Sequence, residues 1–479
     1  MRKCDLGLIG LAVMGENLAL NMEKHGYSVA VYNRTVEKVD RFLEGRARER
    51  NVAGTHTMED LVESLDRPRR IMLMVRAGPA VDDSINGLLP LLDPGDLIID
   101  GGNSFFKDTI RRSRYLAEKS ILYIGTGISG GEEGALKGPA IMPGGQPEAY
   151  SLVQSLFTRM AAQVDDVPCC SYIGPNGAGH YVKMAHNGIE YGNMQLISEV
   201  YDLMRNALGM NAEQLHHTFS RWNQGKLNSY LIKITADIFS QIDSTGNPLV
   251  EMILDKAAEK GTGKWASQSA LDLGVPIPTI AEAVFARYIS AIKNERLHAA
   301  NVIRGPARRY QGSKSDLLEG LEEALYAAKI CSYAQGFTLM KEAGKEYGWD
   351  LNLGEISMIW RGGCIIRAKF LREINQAFTR NPNLTNLLLD PYFKDAVQRA
   401  QDKWRRVVTR AIDLGISVPA LSSALMYFDS YRGARLPANL IQAQRDYFGA
   451  HAYRRIDRKG TFHTEWMLKE RPEVRIDKQ

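Results

Sequence analysis

Up to about residue 178 the chain alternates short β-prone apolar runs with helix-like segments, which restricts it to a mostly parallel sheet covered by helices. The runs are Leu6 to Ile9, Val29 to Tyr32, Ile71 to Val75, Leu97 to Ile99 and Ile121 to Ile124. After Gly179 the texture changes to long amphipathic stretches containing Ala and Leu, broken by single Gly and Pro residues. An α/β region over residues 1–178 followed by a large all-α region over 179–434 is therefore expected. Within the helical part, Trp222-Asn-Gln-Gly225 is echoed by Trp360-Arg-Gly-Gly363, and Asp272-Leu-Gly-Val-Pro276 by Asp413-Leu-Gly-Ile-Ser417 before Pro419. Two matches in the same order at similar intervals favour an internal helical duplication over chance.

Gly10-Leu11-Ala12-Val13-Met14-Gly15 follows the first strand and opens a helix, which is the dinucleotide fingerprint of a Rossmann-type domain with Ala in the second glycine's place. Alone, such a pattern is often only a turn. The second strand strengthens it by ending in Asn33-Arg34-Thr35 rather than in a carboxylate. An acid there would hold the ribose 2′-hydroxyl of NAD and repel a 2′-phosphate, whereas a guanidinium with two hydrogen-bonding neighbours suits NADP. Three further strand ends carry small or polar residues where ligands bind in open α/β sheets: Val75-Arg76-Ala77-Gly78, Asp100-Gly-Gly-Asn103 and Gly127-Ile-Ser129-Gly130-Gly131. The amide of Asn103 and the successive N–H groups of the Ser129 loop suit a carboxylate or the edge of a nicotinamide.

The most chemical segment lies at the start of the helical region. Lys183, His186, Asn187, Glu190 and Tyr191 are spaced so that, at about 100° per residue, all five fall on one helix face. A stripe at this spacing is ordinarily apolar core. Any one of these residues could be a satisfied buried polar group, but a base, an imidazole, an amide, an acid and a phenol together read as a site.

Composition narrows the class. The 479 residues have a net charge of +5 and no dense basic run, which argues against a nucleic-acid groove. No apolar stretch approaches a membrane span, and the N-terminus lacks the apolar core of a signal peptide. Five cysteines without Cys-x-x-Cys spacing suggest neither a disulfide framework nor a zinc site, and no metal is expected. A cytoplasmic location follows from these features. Residues 435–479 are polar and charged, as a disordered tail is, yet Tyr447, Phe448, Tyr453, Phe462, His463 and Trp466 predict that this tail docks on another surface.

Four separated blocks resemble the decarboxylating 6-phosphogluconate dehydrogenases over nearly the whole chain. They are Gly10 to Gly15 with Asn33-Arg-Thr35, Gly127 to Gly131, Lys183-Met-Ala-His-Asn-Gly-Ile-Glu-Tyr191, and Ile253-Leu-Asp255 leading to Lys260-Gly-Thr-Gly-Lys-Trp265. The last is the most specific to that family, while the first is shared with shorter β-hydroxyacid dehydrogenases. The resemblance implies oxidation of 6-phosphogluconate by NADP, loss of CO2 and formation of ribulose 5-phosphate in the oxidative pentose phosphate pathway. It implies Lys183 as base and Glu190 as acid, with Asn103, Ser129, Gly130, Gly131, His186 and Asn187 on the sugar acid. It assigns Tyr191, Lys260, Thr262 and Arg287 to the phosphate. Arg445 and His451 match positions that reach the substrate from the neighbouring subunit's tail, which implies a homodimer with shared sites. Glu259, where the family commonly has an amide or Ser, and Arg76, where Lys is frequent, depart from the pattern. The alternatives are a β-hydroxyacid dehydrogenase that does not decarboxylate, separated by CO2 release, and an NADP-binding sensor on a retired enzyme fold, against which Lys183 and Glu190 both argue.

Overall fold

The computed structural model describes residues 3–258, 261–306 and 309–476. By its internal contacts the chain forms two compact units, Met1–Leu425 and Met426–Gln479.

The first unit opens with a seven-stranded sheet: β1 (Leu6–Ile9), β2 (Val29–Tyr32), β3 (Val52–Thr55), β4 (Arg70–Leu73), β5 (Leu97–Asp100), β6 (Leu122–Ser129) and β7 (Ala140–Gly145). Their order in space is β3-β2-β1-β4-β5-β6-β7. All neighbours are parallel except β6 and β7, which are antiparallel. The chain reverses its direction of travel across the sheet between β1 and β4, which opens a crevice at the carboxyl ends of the strands. Strands β1 and β5 are buried along their whole length, as a parallel sheet covered on both faces requires.

The five strands expected from sequence are present, with two shifts and two additions. Strand β4 stops at Leu73, so Val75, Arg76 and Ala77 lie in the loop beyond it. Strand β6 runs on to Ser129 and carries that residue at its tip. Strands β3 and β7 were not anticipated, since Val-Ala-Gly-Thr is short and Ala-Ile-Met-Pro-Gly-Gly carries turn-like residues.

Glycines set the packing between this sheet and the helical region. The fingerprint opens helix α1 (Val13–Lys24), and the helical region begins with the long helix α2 (Ala178–Asn206), whose first turns sit directly on β6 and β7. A Cβ on Gly179 would lie 2.4 Å from the Met142 carbonyl oxygen and 2.6 Å from that of Gly125, and one on Gly127 would lie 2.4 Å from Lys183 Cβ. Backbone therefore meets backbone, and the lysine is set against the sheet. Gly127→Ala is expected to destabilise the protein by about 1–3 kcal/mol through overpacking. Turnover should drop with it; thermal unfolding beside an activity assay reads both, and an unchanged melting temperature would contradict the close fit.

The duplication is visible as two helix series of matching order. Helix α2 is followed by α3 (Ala212–Trp222), α4 (Tyr230–Ser240), α5 (Thr262–Leu273) and α6 (Pro278–Ala291). The second series is α7 (Lys314–Tyr347), α8 (Leu353–Ile359), α9 (Leu371–Arg380), α10 (Pro391–Leu414) and α11 (Pro419–Tyr431). Gly274 and Gly415, the residues after α5 and α10, both adopt the left-handed conformation, and α6 and α11 both begin at proline. The two series clasp each other where Ser229 pairs antiparallel with Ala368, with Tyr230 N–H donating to the Arg367 carbonyl and Lys369 N–H to that of Asn228. Helices α2 and α7 pack together, with Gly192 against Ser332 and Gly336 against Ile189.

The second unit includes helix α12 (Ala438–Gly449) and a three-stranded antiparallel sheet of Tyr453–Arg454, Thr461–Thr464 and Glu473–Arg475. Its centre is Asp446, fully buried, whose carboxylate accepts from the backbone N–H groups of Ala452 and Thr464 and from Trp466 Nε1, and pairs with His463 Nδ1 at 2.8 Å. A polar composition here encodes an organised element held by one acid. Among the described residues no helix is long and apolar enough to cross a membrane.

Candidate active site

At the nucleotide end, Gly10 has φ +107° and its N–H donates to the Tyr32 carbonyl, while a Cβ on Gly15 would strike the Gly10 carbonyl oxygen. Helix α1 thus starts tight against the turn, and its N-terminal residue Ala12 offers no side-chain cap to the first N–H groups. This cradle of uncapped donors, closed to side chains by two glycines, fits a pyrophosphate. Leu11 is buried, while Ala12 and Val13 face outward and Met14 is half-buried. Asn33 braces the turn: its Oδ1 accepts from Leu11 N–H and its Nδ2 donates to the Thr35 carbonyl. Arg34 and Thr35 beside it are exposed. Arg34→Ala is expected to remove about 1.5–3 kcal/mol of NADP binding, roughly ten- to a hundredfold, while changing NAD use little. Equal losses with both cofactors in steady-state kinetics would refute the assignment.

Helix α2 places its polar stripe at the tip of β6. Lys183, His186 and Tyr191 are buried, while Asn187 and Glu190 are half-buried. The His186 Nε2 lies 3.4 Å from Ser129 Oγ, and its Nδ1 lies 3.1 Å from Asn187 Oδ1 and 3.8 Å from Glu190 Oε2. Since Asn187 Oδ1 can only accept, this pairing assigns the ring proton to Nδ1. Asn187 Nδ2 then donates to Thr262 Oγ1 at 3.0 Å. Trp360 closes the far side with its ring edge-on to His186, at a centroid distance of 5.5 Å.

Burial dominates the electrostatics. It draws the Lys183 ammonium below the usual lysine range against the opposing pull of Glu190 and Cys364. It lifts the Glu190 carboxyl above the usual carboxylate range, opposed by Lys183 and Arg287. Burial, aided by the Lys183 charge, holds His186 well below its ordinary value and therefore neutral. Burial thus biases both the amine and the carboxyl toward their uncharged forms, while the charge of each favours ionisation of the other.

Next to this pair lies the start of α5. Gly261, with φ +94°, precedes α5 without a side-chain cap, and Thr262 is the first helical residue. A Cβ on Gly263 would lie 2.5 Å from the Tyr191 ring, and the Arg287 guanidinium stacks 3.5 Å above the same ring. Arg287 also donates to the Ala258 carbonyl. Thr262, Tyr191 and Arg287, which the family resemblance grouped, therefore converge, while Lys260 and its neighbour Glu259 lie outside the described residues.

Residues 5–174 match the NAD binding domain of 6-phosphogluconate dehydrogenase, and residues 179–466 match the 6-phosphogluconate dehydrogenase C-terminal domain. The chain belongs to the 6-phosphogluconate dehydrogenase family. Among its relatives, the NADP(+)-dependent, decarboxylating 6-phosphogluconate dehydrogenase of Bacillus subtilis is 59% identical, covering 98% of this chain and 100% of the relative. The decarboxylating 6-phosphogluconate dehydrogenase of Escherichia coli is 56% identical with the same coverage of both chains. A solved structure of the Plasmodium falciparum 6-phosphogluconate dehydrogenase, studied in its apo form, with NADP+ and with 6-phosphogluconate, superposes with a TM-score of 0.93 at 46% identity. That match covers 97% of this chain and 100% of the other.

Two supports of this family site were not singled out in the sequence. Asp100, fully buried, accepts from Gly102 N–H, Ser104 Oγ and the Tyr123 hydroxyl, with Arg112 Nη1 at 3.6 Å. It fixes the turn that presents exposed Asn103. An acid ending the apolar strand Leu-Ile-Ile-Asp was the available signal. The other support is the Trp360–Cys364 segment, read only as a repeat echo: the Gly363 carbonyl accepts from Ala140 N–H and sits behind Gly130. In the second unit, Arg445 lies on α12 and His451 follows it; both are exposed. Among the described residues no His, Cys, Asp or Glu group is arranged to hold a metal ion.

Proposed function

We propose that this chain catalyses the NADP-dependent oxidative decarboxylation of 6-phospho-D-gluconate to D-ribulose 5-phosphate, CO2 and NADPH. The observation that carries the reading is the Lys183 and Glu190 pair, which burial pushes toward the uncharged forms that a base and an acid need. NADP, when bound, supplies the acceptor for the hydride that leaves C3. Gly10 to Gly15 cradle its pyrophosphate, Asn33, Arg34 and Thr35 form its 2′-phosphate end, and Val75, Arg76, Ala77 and Asn103 flank it.

Uncharged Lys183 takes the C3 hydroxyl proton as C3 is oxidised. As an ammonium it then polarises the new C3 carbonyl, which lies β to the carboxylate and receives the electron pair of the breaking C1–C2 bond as CO2 departs. Protonated Glu190 delivers a proton to the carbon that lost CO2, giving the product ketose. His186, neutral and oriented by Asn187, binds the sugar acid with Asn103 and the Ser129-Gly130-Gly131 loop. Tyr191, Lys260, Thr262 and Arg287 hold the phosphate. With this goes a division into residues 1–178 for the cofactor, 179–434 for substrate and dimerisation, and 435–479 as a tail bringing Arg445 and His451 to the other subunit of a homodimer. The five unpaired, buried cysteines support a cytoplasmic setting.

Purified protein given NADP and 6-phosphogluconate in the presence of a chelator is expected to form NADPH and CO2 in equal amounts. NADPH without CO2 would leave a simple β-hydroxyacid dehydrogenase, and neither product would overturn the reading.

A further inference from the structure

Where the two helix series clasp, the wall of the first unit opens into a cavity of about 590 Å³ lined by Ser229, Tyr230, Lys233, Arg361, Arg367, Lys369, Arg372 and Glu373 among others. Five of these are cationic and one is acidic. The Arg361 side chain is only 6% exposed and is held in place, its Nε donating to the Met358 carbonyl and its Nη1 lying 3.4 Å from Asp165. Its Nη2 nonetheless has no hydrogen-bond partner, and Glu373, which also lines the cavity, has a buried Oε2 that is equally unmatched. A buried donor on a cation and a buried acceptor on an acid, both unsatisfied, are costly to keep and mark a place where a ligand completes the bonding.

Opposing charges do not cancel the cations. Asp165 bridges Arg361 and Arg372 from an exposed position, and Glu133 lies within electrostatic reach of Lys233 and Arg367. The Arg367 guanidinium is stacked 3.7 Å above the Tyr230 ring and donates to the Cys364 carbonyl, so it shapes the wall. Exposed Lys233, Lys369 and Arg372 surround the opening.

We propose that this cavity is a second binding site, for a phosphorylated polyol whose phosphate takes Arg361 Nη2 and the surrounding cations and whose hydroxyl donates to Glu373 Oε2. The volume suits a six-carbon ligand. The site is coupled to the catalytic helix by a short lever: Arg361 follows Trp360, whose ring packs on His186, and precedes Gly363, which backs the Ser129 loop. The inference stands apart from the proposed reaction, because it rests on a different cavity.

The test is isothermal titration of the full-length protein with sorbitol 6-phosphate and with inorganic phosphate. Two equivalents of sorbitol 6-phosphate per chain are expected. Arg361→Gln should weaken one of them at least about tenfold, and so should the combined exposed changes Lys233→Ala, Lys369→Ala and Arg372→Ala. Arg287→Ala should remove the other. Glu373→Ala should weaken the sugar phosphate without weakening inorganic phosphate. A single equivalent lost in Arg287→Ala and untouched by the cavity changes would overturn the proposal. Loss of the Arg287-dependent equivalent alone from the wild type would count against the proposed reaction and leave this site standing.

Discussion

Lys183→Met is expected to lower kcat by at least about a thousandfold, the upper part of the range for losing a general acid-base group, while 6-phosphogluconate still binds. Methionine keeps the length and helix propensity of the side chain and removes only the amine. Folding should not suffer. Burial sets the lysine's folded pKa below its unfolded one, so the folded state holds fewer protons and its stability rises with pH toward the ordinary lysine value of 10.5. At neutral pH the amine is therefore a burden on the fold that methionine lacks, and the melting temperature should hold or rise.

The pH profile of kcat/KM carries the same logic. In the proposed mechanism the active form has one proton on the pair, held by Glu190 while Lys183 is bare, so activity is expected to fall at low pH as the pair gains a proton and at high pH as it loses one. Glu190→Gln leaves only the lysine to titrate, and the high-pH limb should vanish from its residual activity. Retention of that limb, or a Lys183→Met enzyme within tenfold of wild type, would remove the chemical assignment.

The second large effect concerns the tail. Truncation beyond Leu436 removes Arg445 and His451 and is expected to abolish turnover under the proposed exchange between subunits. Complementation is the sharper experiment. Lys183→Met chains and Arg445→Ala chains, each nearly inactive alone, should regain activity when dissociated and reassociated together. In a mixed dimer, one site combines an intact Lys183 from one chain with an intact Arg445 from the other. Random pairing of equal amounts makes half the molecules mixed, each with one good site, so about a quarter of wild-type activity is expected. If tails serve their own chains, both sites of every mixed dimer stay damaged and no recovery appears.

Much of this architecture was legible because strong periodicities write it. Fully apolar strands, a glycine turn before a helix and a polar face at helical spacing leave few alternatives, and the Leu6–Ile9 and Val29–Tyr32 strands fall where the pattern put them. Strand β7 was not legible for a physical reason: its Pro143, Gly144 and Gly145 look like a turn, yet Gly144 and Gly145 are required by the approach of Gly179 and of the β6 backbone. Such long-range closeness has no local signature. The Asp100 network and the Trp360 wall escaped for the same reason, since each acts through residues distant in sequence. Asn33 is a subtler case: the residue type suited a phosphate, and its bonds to Leu11 and Thr35, which no local pattern announces, also make it a brace.

The clasp between Ser229 and Ala368 joins two helix series within one polypeptide, so the backing of α2 by α7 is intramolecular. Dilution cannot weaken a partner tethered on the same chain. Lys183, Glu190 and the Thr262 loop therefore keep their geometry at any enzyme concentration, whereas under the proposed exchange a tail lent by a second molecule would be a bimolecular contribution. Specific activity that declines on dilution while NADP affinity stays constant would be the kinetic signature of that asymmetry.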